Sequence, residues 1–203
     1  MDSLIDSIRQ LVDVRGLIQW GGIVGITAIV FVETGLFVGF FLPGDSLLVT
    51  AGILAAAGEL DIRWLILFPA IAAIVGDQTG YAIGRKAGDT LRERYPRFQQ
   101  HLDRAHSFYE KYGNKTIVFA RFVPIVRTFV PAVAGAAQMD YKRFVTYNVF
   151  GGLLWVLSTT LLGYTLGSVI PQIEKYLHVV IAVVVFVSLL PGVYEWWKIR
   201  KSA

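Results

Sequence analysis

Cysteine is absent from the 203 residues, and only three histidines are present. Disulfides and thiolate metal sites are therefore excluded, and three scattered imidazoles offer zinc no ligand set. Neither a metal nor a cofactor is implied. Charge is also missing over long stretches: no Asp, Glu, Lys or Arg occurs from Trp64 to Gly76, from Phe144 to Ile173 or from Tyr176 to Tyr194. A bilayer-spanning helix needs roughly 20 apolar residues at ~1.5 Å rise. With 55% apolar residues, the chain reads as an all-α integral membrane protein, one domain over residues 1–203. Its first residues lack the basic start and small-residue cleavage site of a signal peptide. Leu4, Ile5, Ile8, Leu11 and Val12 recur at helical spacing, which predicts an amphipathic surface helix over 1–16.

What is present is best read from Phe119 to Gly135, an apolar run that carries Arg121, Arg127, Pro124 and Pro131. Each proline removes a backbone donor and crowds the preceding turn, so this run cannot be one straight helix. A guanidinium at membrane depth costs about 2.5–3.5 kcal/mol on insertion scales and is kept beside a carboxylate, a phosphate or a water-filled cavity. An equivalent break occurs earlier. Residues 17–42 are uncharged apart from Glu33 and lead into Pro43-Gly44-Asp45, a turn signature followed by a short apolar run to Gly58. Thirteen residues of helix reach only ~20 Å, short of a ~30 Å hydrocarbon core, which favours a re-entrant hairpin. A full span from Leu17 to Leu42 is the alternative.

Gly52 and Gly135, Gly80 and Gly163, Tyr81 and Tyr164, and Gly84 and Gly167 all stand 83 residues apart. A hairpin plus one crossing is an odd number of passes, so the second copy is inverted relative to the first. The expected architecture is two opposed re-entrant hairpins in a pseudo-inverted repeat, with about three transmembrane helices and surface amphipathic helices. Residues 17–84 form the first repeat, 85–113 a basic cytoplasmic segment, 114–167 the second repeat, and 174–203 a last transmembrane helix with a basic tail. Of the nineteen Lys and Arg, thirteen fall on the side of the basic segment and four on the other. The excess assigns that side, and the C-terminus, to the cytoplasm and the N-terminus to the outer face. Orientation accounts for those cations without nucleic acid.

Five ionisable residues lie at membrane depth: Glu33, Asp45, Asp77, Arg121 and Arg127. On unbroken helices neither Glu33 and Asp45 nor the two arginines would share a face. Turns at Pro43-Gly44 and at Pro124 let them converge on a central cavity. Paired guanidinium forks and free donors at broken helices make an anion site, with phosphate the expected group. Three acids against two bases leave one carboxyl free to carry a proton, because burial favours its neutral form. Asp77 serves the site or pairs near Arg85. Asn148, Gln138 and Thr128 line the site or make helix–helix hydrogen bonds.

Glu33-Thr-Gly-Leu-Phe, Pro43-Gly-Asp45, Gly76-Asp-x-x-Gly-Tyr-x-Ile-Gly-Arg85, Phe119-x-Arg-Phe-x-Pro-x-x-Arg127, Pro131-x-x-Ala-Gly135 and Asn148-x-x-Gly-x-x-x-Trp155 together resemble the bacterial DedA family. The resemblance covers roughly Ile23 to Gly167. It implies the domain shared with eukaryotic lipid scramblases, and a role in membrane homeostasis that depends on the proton motive force. Return of undecaprenyl phosphate to the cytoplasmic leaflet is the activity ascribed to some members. By motif position Glu33, Asp45, Arg121 and Arg127 match the family's essential residues. The expectation is an inner-membrane lipid transporter and not an enzyme: Arg121 and Arg127 hold the phosphate, Glu33 and Asp45 exchange protons, and Asp77, Pro43, Gly44, Pro124 and Asn148 support them. The partners implied are an anionic lipid and protons, with a homo-oligomer left open. A less selective scramblase and a cation–proton antiporter are the alternatives. A membrane phosphatase lacks the histidines it would need, and a structural assembly factor would tolerate exchange of the charges between Glu33 and Arg127. Cysteines placed at Asp2 and Glu59 of this cysteine-free chain are expected to label from the same membrane side; labelling from opposite sides would remove the first hairpin.

Overall fold

A computed structural model of the chain describes residues 14–36, 42–94, 115–170, 173–177, 179–184 and 186. Residues 1–13 of the expected surface helix, 37–41, most of the basic segment with His101 and His106, His178, and the tail from 187 lie outside the described residues. Those described are helical, with no strand among them. The helices are α1 (Val14–Gly35), α2 (Gly44–Ala56), α3 (Ile62–Arg94), α4 (Lys115–Ala120), α5 (Pro124–Ala136) and α6 (Tyr141–Val169), followed by a 3-10 turn, Ile173–Tyr176.

Among the described residues, two helices, over Ile62–Thr90 and Tyr141–Val169, are long and apolar enough to cross a membrane. Their outer faces carry large exposed side chains at helical spacing, among them Trp64, Phe68, Ile71 and Val75 on α3 and Phe150, Leu154 and Leu161 on α6. Such faces suit hydrocarbon rather than water. The two helices of 13 residues, α2 and α5, reach ~20 Å and cannot cross alone. Neither can α1 as one rod, because it kinks at Gly22, whose φ of 51° only glycine adopts easily.

Several expected boundaries differ. The 17–42 segment ends as helix at Gly35, where the backbone of Gly76 lies so close that a Cβ on Gly35 would meet its Cα at 3.0 Å. The basic segment expected from residue 85 starts as a continuation of α3, which runs through to Arg94. Charge does not end a helix, and Gly84 and Gly88 serve its packing. In the Phe119–Gly135 run the helix breaks at 121–123, closed by tight turns such as Val123 N to Ala120 O at 3.0 Å. Pro124 then begins α5, where its missing donor and fixed φ cost nothing. Pro131 lies within α5 and leaves the Arg127 carbonyl without its helical donor.

Glycines decide how the short helices seat on the long ones. A Cβ at Gly52 of α2 would strike Thr160 O and Tyr164 N of α6, and one at Gly135 of α5 would strike Tyr81 O and Arg85 N of α3. Likewise Gly163 lies against Val49 and Gly84 against Ala132; Gly167 meets Ile53 and Gly88 meets Ala136. The two interfaces therefore correspond residue by residue. Short-helix positions are offset by 83, as the sequence repeat has it, but long-helix positions by 79, so Gly163 corresponds to Gly84 and not to Gly80. The difference is one helical turn. Around these seats an apolar cluster joins α1, α2, the start of α3 and the middle of α6, while a second joins the end of α3 with α4, α5 and the start of α6. Gly52→Ala and Gly135→Ala are each expected to lower stability by about 1–3 kcal/mol through overpacking, read as thermal melting in detergent. Gly21→Ala, with nothing within 4 Å of its added Cβ, should be neutral or slightly stabilising.

Candidate functional site

The start of α2 at Pro43-Gly44 and the start of α5 after the break at 121–123 lie close enough for Asp45 and Arg127 to pair. Both are positive helix ends, and Arg127, one turn into α5, adds a full charge. Two carboxylates answer it. Arg127 Nη1 donates to Asp45 Oδ1 at 2.8 Å, and Nη2 pairs with Glu33 Oε1. Glu33 comes from the last turn of α1 and Asp45 from the first turn of α2, so one guanidinium ties three helices. Glu33 is 2% exposed and Arg127 7%, whereas the Asp45 side chain retains 19%. Gly44 is the condition for this contact. Its absent side chain is the space the Glu33 carboxylate occupies; a Cβ there would come within 2.9 Å of Oε1 and closer still to Oε2. Pro43 starts α2, its carbonyl accepting from Leu47 N at 2.8 Å and from Ser46 Oγ at 3.0 Å.

Arg121 forms a separate centre. Its Nη2 donates to Asp77 Oδ2 of α3 and to Asn148 Oδ1 of α6. Asn148 Nδ2 is fixed in turn by the Ile74 carbonyl at 2.9 Å, which settles which way its amide faces. Gly151 and Gly152 make room for the guanidinium stem: a Cβ at Gly151 would lie 3.1 Å from Arg121 Cδ. The five ionisable residues thus divide into two packed groups rather than lining one open central cavity. Asp77 pairs with Arg121 and not near Arg85, whose Nη1 donates to Tyr81 Oη at 3.2 Å. Thr128 is buried, while Gln138 is exposed and donates to Asp89 at 2.8 Å, away from both groups.

Trp155 is a site residue that the sequence presents only as part of the motif that carries the resemblance, with no role assigned to it there. Its Nε1–H donates to Asp45 Oδ1 at 2.7 Å, and its ring lies 4.7 Å from Arg127 Cζ, a cation–π distance. Asn148 and Trp155, seven residues apart on one face of α6, therefore hold one group each. The available signal was a tryptophan at that spacing from an asparagine within a helix. Glu33 Oε2, Arg121 Nε and Arg127 Nε are buried and have no hydrogen-bond partner among the described residues. They are unused capacity inside an otherwise closed network.

A VTT domain matches residues 42–165, which hold Asp45, both arginines, Asp77, Asn148 and Trp155. The chain is 48% identical over 180 residues to Protein DedA of Escherichia coli K12, covering 86% of this chain and 82% of that one. The chain belongs to the DedA family. Another relative is an uncharacterized membrane protein of Mycobacterium tuberculosis, 46% identical over 183 residues, with 88% and 80% of the two chains covered. The E. coli inner membrane protein YqjA is 40% identical over 153 residues, covering 73% of this chain and 68% of its own. No solved structure matches. As a DedA-family membrane protein the chain has the resemblance expected from its motifs.

Removing one member of a buried ion pair leaves the other uncompensated, at about 3–5 kcal/mol. Asp77→Leu is therefore expected to lower the melting temperature in detergent sharply, and the double variant Asp77→Leu with Arg121→Met to recover most of it. Equal loss in the single and double variants would mean that the pair is not the source of the stability.

Proposed function

We propose that this protein moves an anionic lipid between the leaflets of the bacterial inner membrane, with undecaprenyl phosphate as the substrate and the proton gradient as the driving force. In this reading α1–α2 and α4–α5 are re-entrant hairpins that meet within the bilayer. The observation that carries it is the buried Arg127, held by two carboxylates of which only Asp45 has an exposed edge. A phosphate oxygen is the natural competitor for such a guanidinium, because it offers the same two-pronged geometry as a carboxylate.

Competition supplies the coupling. An incoming phosphate is repelled while both carboxylates are charged, so its arrival favours protonation of one of them, and by reciprocity a proton favours the lipid. When the lipid leaves, the carboxylate regains Arg127 and releases the proton. Glu33 and Asp45 are the exchanging groups, and Arg121 completes the cationic field from its own pair with Asp77. A second reading, a lipid scramblase without a proton cycle, draws on the same closed ion pairs, which would then be structural clamps between the hairpins.

Purified protein in liposomes, assayed for leaflet exchange of labelled undecaprenyl phosphate with and without an imposed pH difference, tests the proposal. Wild type should respond to the gradient. Glu33→Gln should keep passive exchange and lose the response, and Arg127→Lys should lose both, since an ammonium cannot reproduce the two-pronged contact. If wild-type movement ignores the gradient and ordinary phospholipids move equally well, the scramblase reading replaces this one.

A further inference from the structure

A groove of about 800 Å³ runs along α6 and is lined also by Val49 of α2 and by Val180 and Val184. Its lining is aliphatic over most of its length. At one end it reaches Asp45 and Trp155, with Ser158 and Thr159 beside them. Asp45 is the carboxylate on Arg127 Nη1, and Trp155 is the indole lying on the same guanidinium. The groove therefore ends at the edge of the Arg127 group that retains exposure. A second apolar groove of about 700 Å³, between α1 and α3 beside Phe31 and Phe68, reaches none of the five ionisable residues.

The chemistry of the first groove selects its occupant. Water has few partners along aliphatic walls, and a soluble anion would gain nothing from them. An amphiphile gains at both ends: hydrocarbon covers the valines and leucines, while an anionic head meets a guanidinium and an indole N–H at the point where Asp45 can yield. The groove lies on a helix long enough to cross a bilayer, so a lipid can enter it sideways from the surrounding hydrocarbon. We infer that this groove holds the hydrocarbon tail of a phosphate-headed lipid whose head reaches Arg127 beside Asp45 and Trp155. The inference rests on the phosphate-lipid reading above and adds the path by which the tail is accommodated. The head then need not drag its chain through the packed interior.

Trp155 is a built-in reporter. A full-length variant with Trp20, Trp64, Trp196 and Trp197 changed to Phe keeps it as the sole tryptophan of the five. This protein, in nanodiscs of unlabelled phosphatidylcholine, is titrated with phosphatidic acid brominated on its acyl chains and, separately, with equally brominated phosphatidylcholine. The expected result is a saturable loss of Trp155 emission with the phosphate monoester lipid and only a weak, linear loss with phosphatidylcholine. Ser158→Phe, which puts a ring into the groove from an exposed position, should convert the saturable curve into the linear one without changing the melting temperature. Free inorganic phosphate should not compete at matched concentration. Saturable quenching by both lipids that Ser158→Phe abolishes supports the tail groove while contradicting the phosphate-selective function. Linear quenching by both lipids, no quenching, or a saturable curve unaffected by Ser158→Phe overturns the groove itself.

Discussion

A guanidinium placed among apolar side chains must find its counter-charge within the protein, and Arg127 finds it on two other helices. Everything around it serves that pairing. The break at 121–123 places Arg127 near the start of α5 rather than in the middle of a long rod. Gly44 yields its side-chain volume to Glu33, and Trp155 covers the guanidinium while fixing Asp45. Burying one cation against one carboxylate would roughly balance attraction against desolvation. Here two helix N-termini add positive potential at the same point, which gives a physical reason for a second carboxylate.

The glycine contacts explain how such a junction is held in register. Each short helix lies on the long helix of the other half with backbone nearly touching backbone, α2 on α6 and α5 on α3. Small residues permit this approach where hydrocarbon supplies no hydrophobic drive between helices, and dispersion at close range becomes the main attraction. The cost is intolerance: a single methyl group at Gly52 or Gly135 has no space to enter. The two interfaces correspond position by position. The ion groups do not follow the symmetry, since Glu33, Asp45 and Arg127 have no matching triad around Arg121, Asp77 and Asn148. Packing is repeated; chemistry is not.

Much of this was legible in the residues themselves. Arginines beside prolines announced a broken helix, the lack of charge over Phe144 to Ile173 announced a long apolar helix, and Pro43-Gly44-Asp45 marks the start of α2, the helix that carries Asp45. What was not legible depends on azimuth and depth, which sequence spacing does not give across a turn. Asp77 is 44 residues from Arg121, and nothing local separates that partner from Arg85. Trp155 is part of the motif that carries the resemblance, but its role is visible only once Asp45 is seen opposite its N–H. The one-turn shift of the long helices, 79 against 83, arises from packing between copies and has no trace in a simple residue count.

The account depends on Arg127 exchanging a carboxylate for a lipid phosphate. Solid-state NMR of protein labelled with ¹⁵N at arginine, in bilayers with and without undecaprenyl phosphate, reads that exchange as dipolar coupling between guanidinium ¹⁵Nη and ³¹P. Contacts from surface arginines are removed by subtracting the Arg127→Lys spectrum. The account predicts a coupling that appears with the lipid, survives the subtraction and strengthens as pH is lowered, since a protonated carboxyl releases the guanidinium. A difference spectrum without coupling at any pH, with Arg127 still held by its two carboxylates, would contradict it.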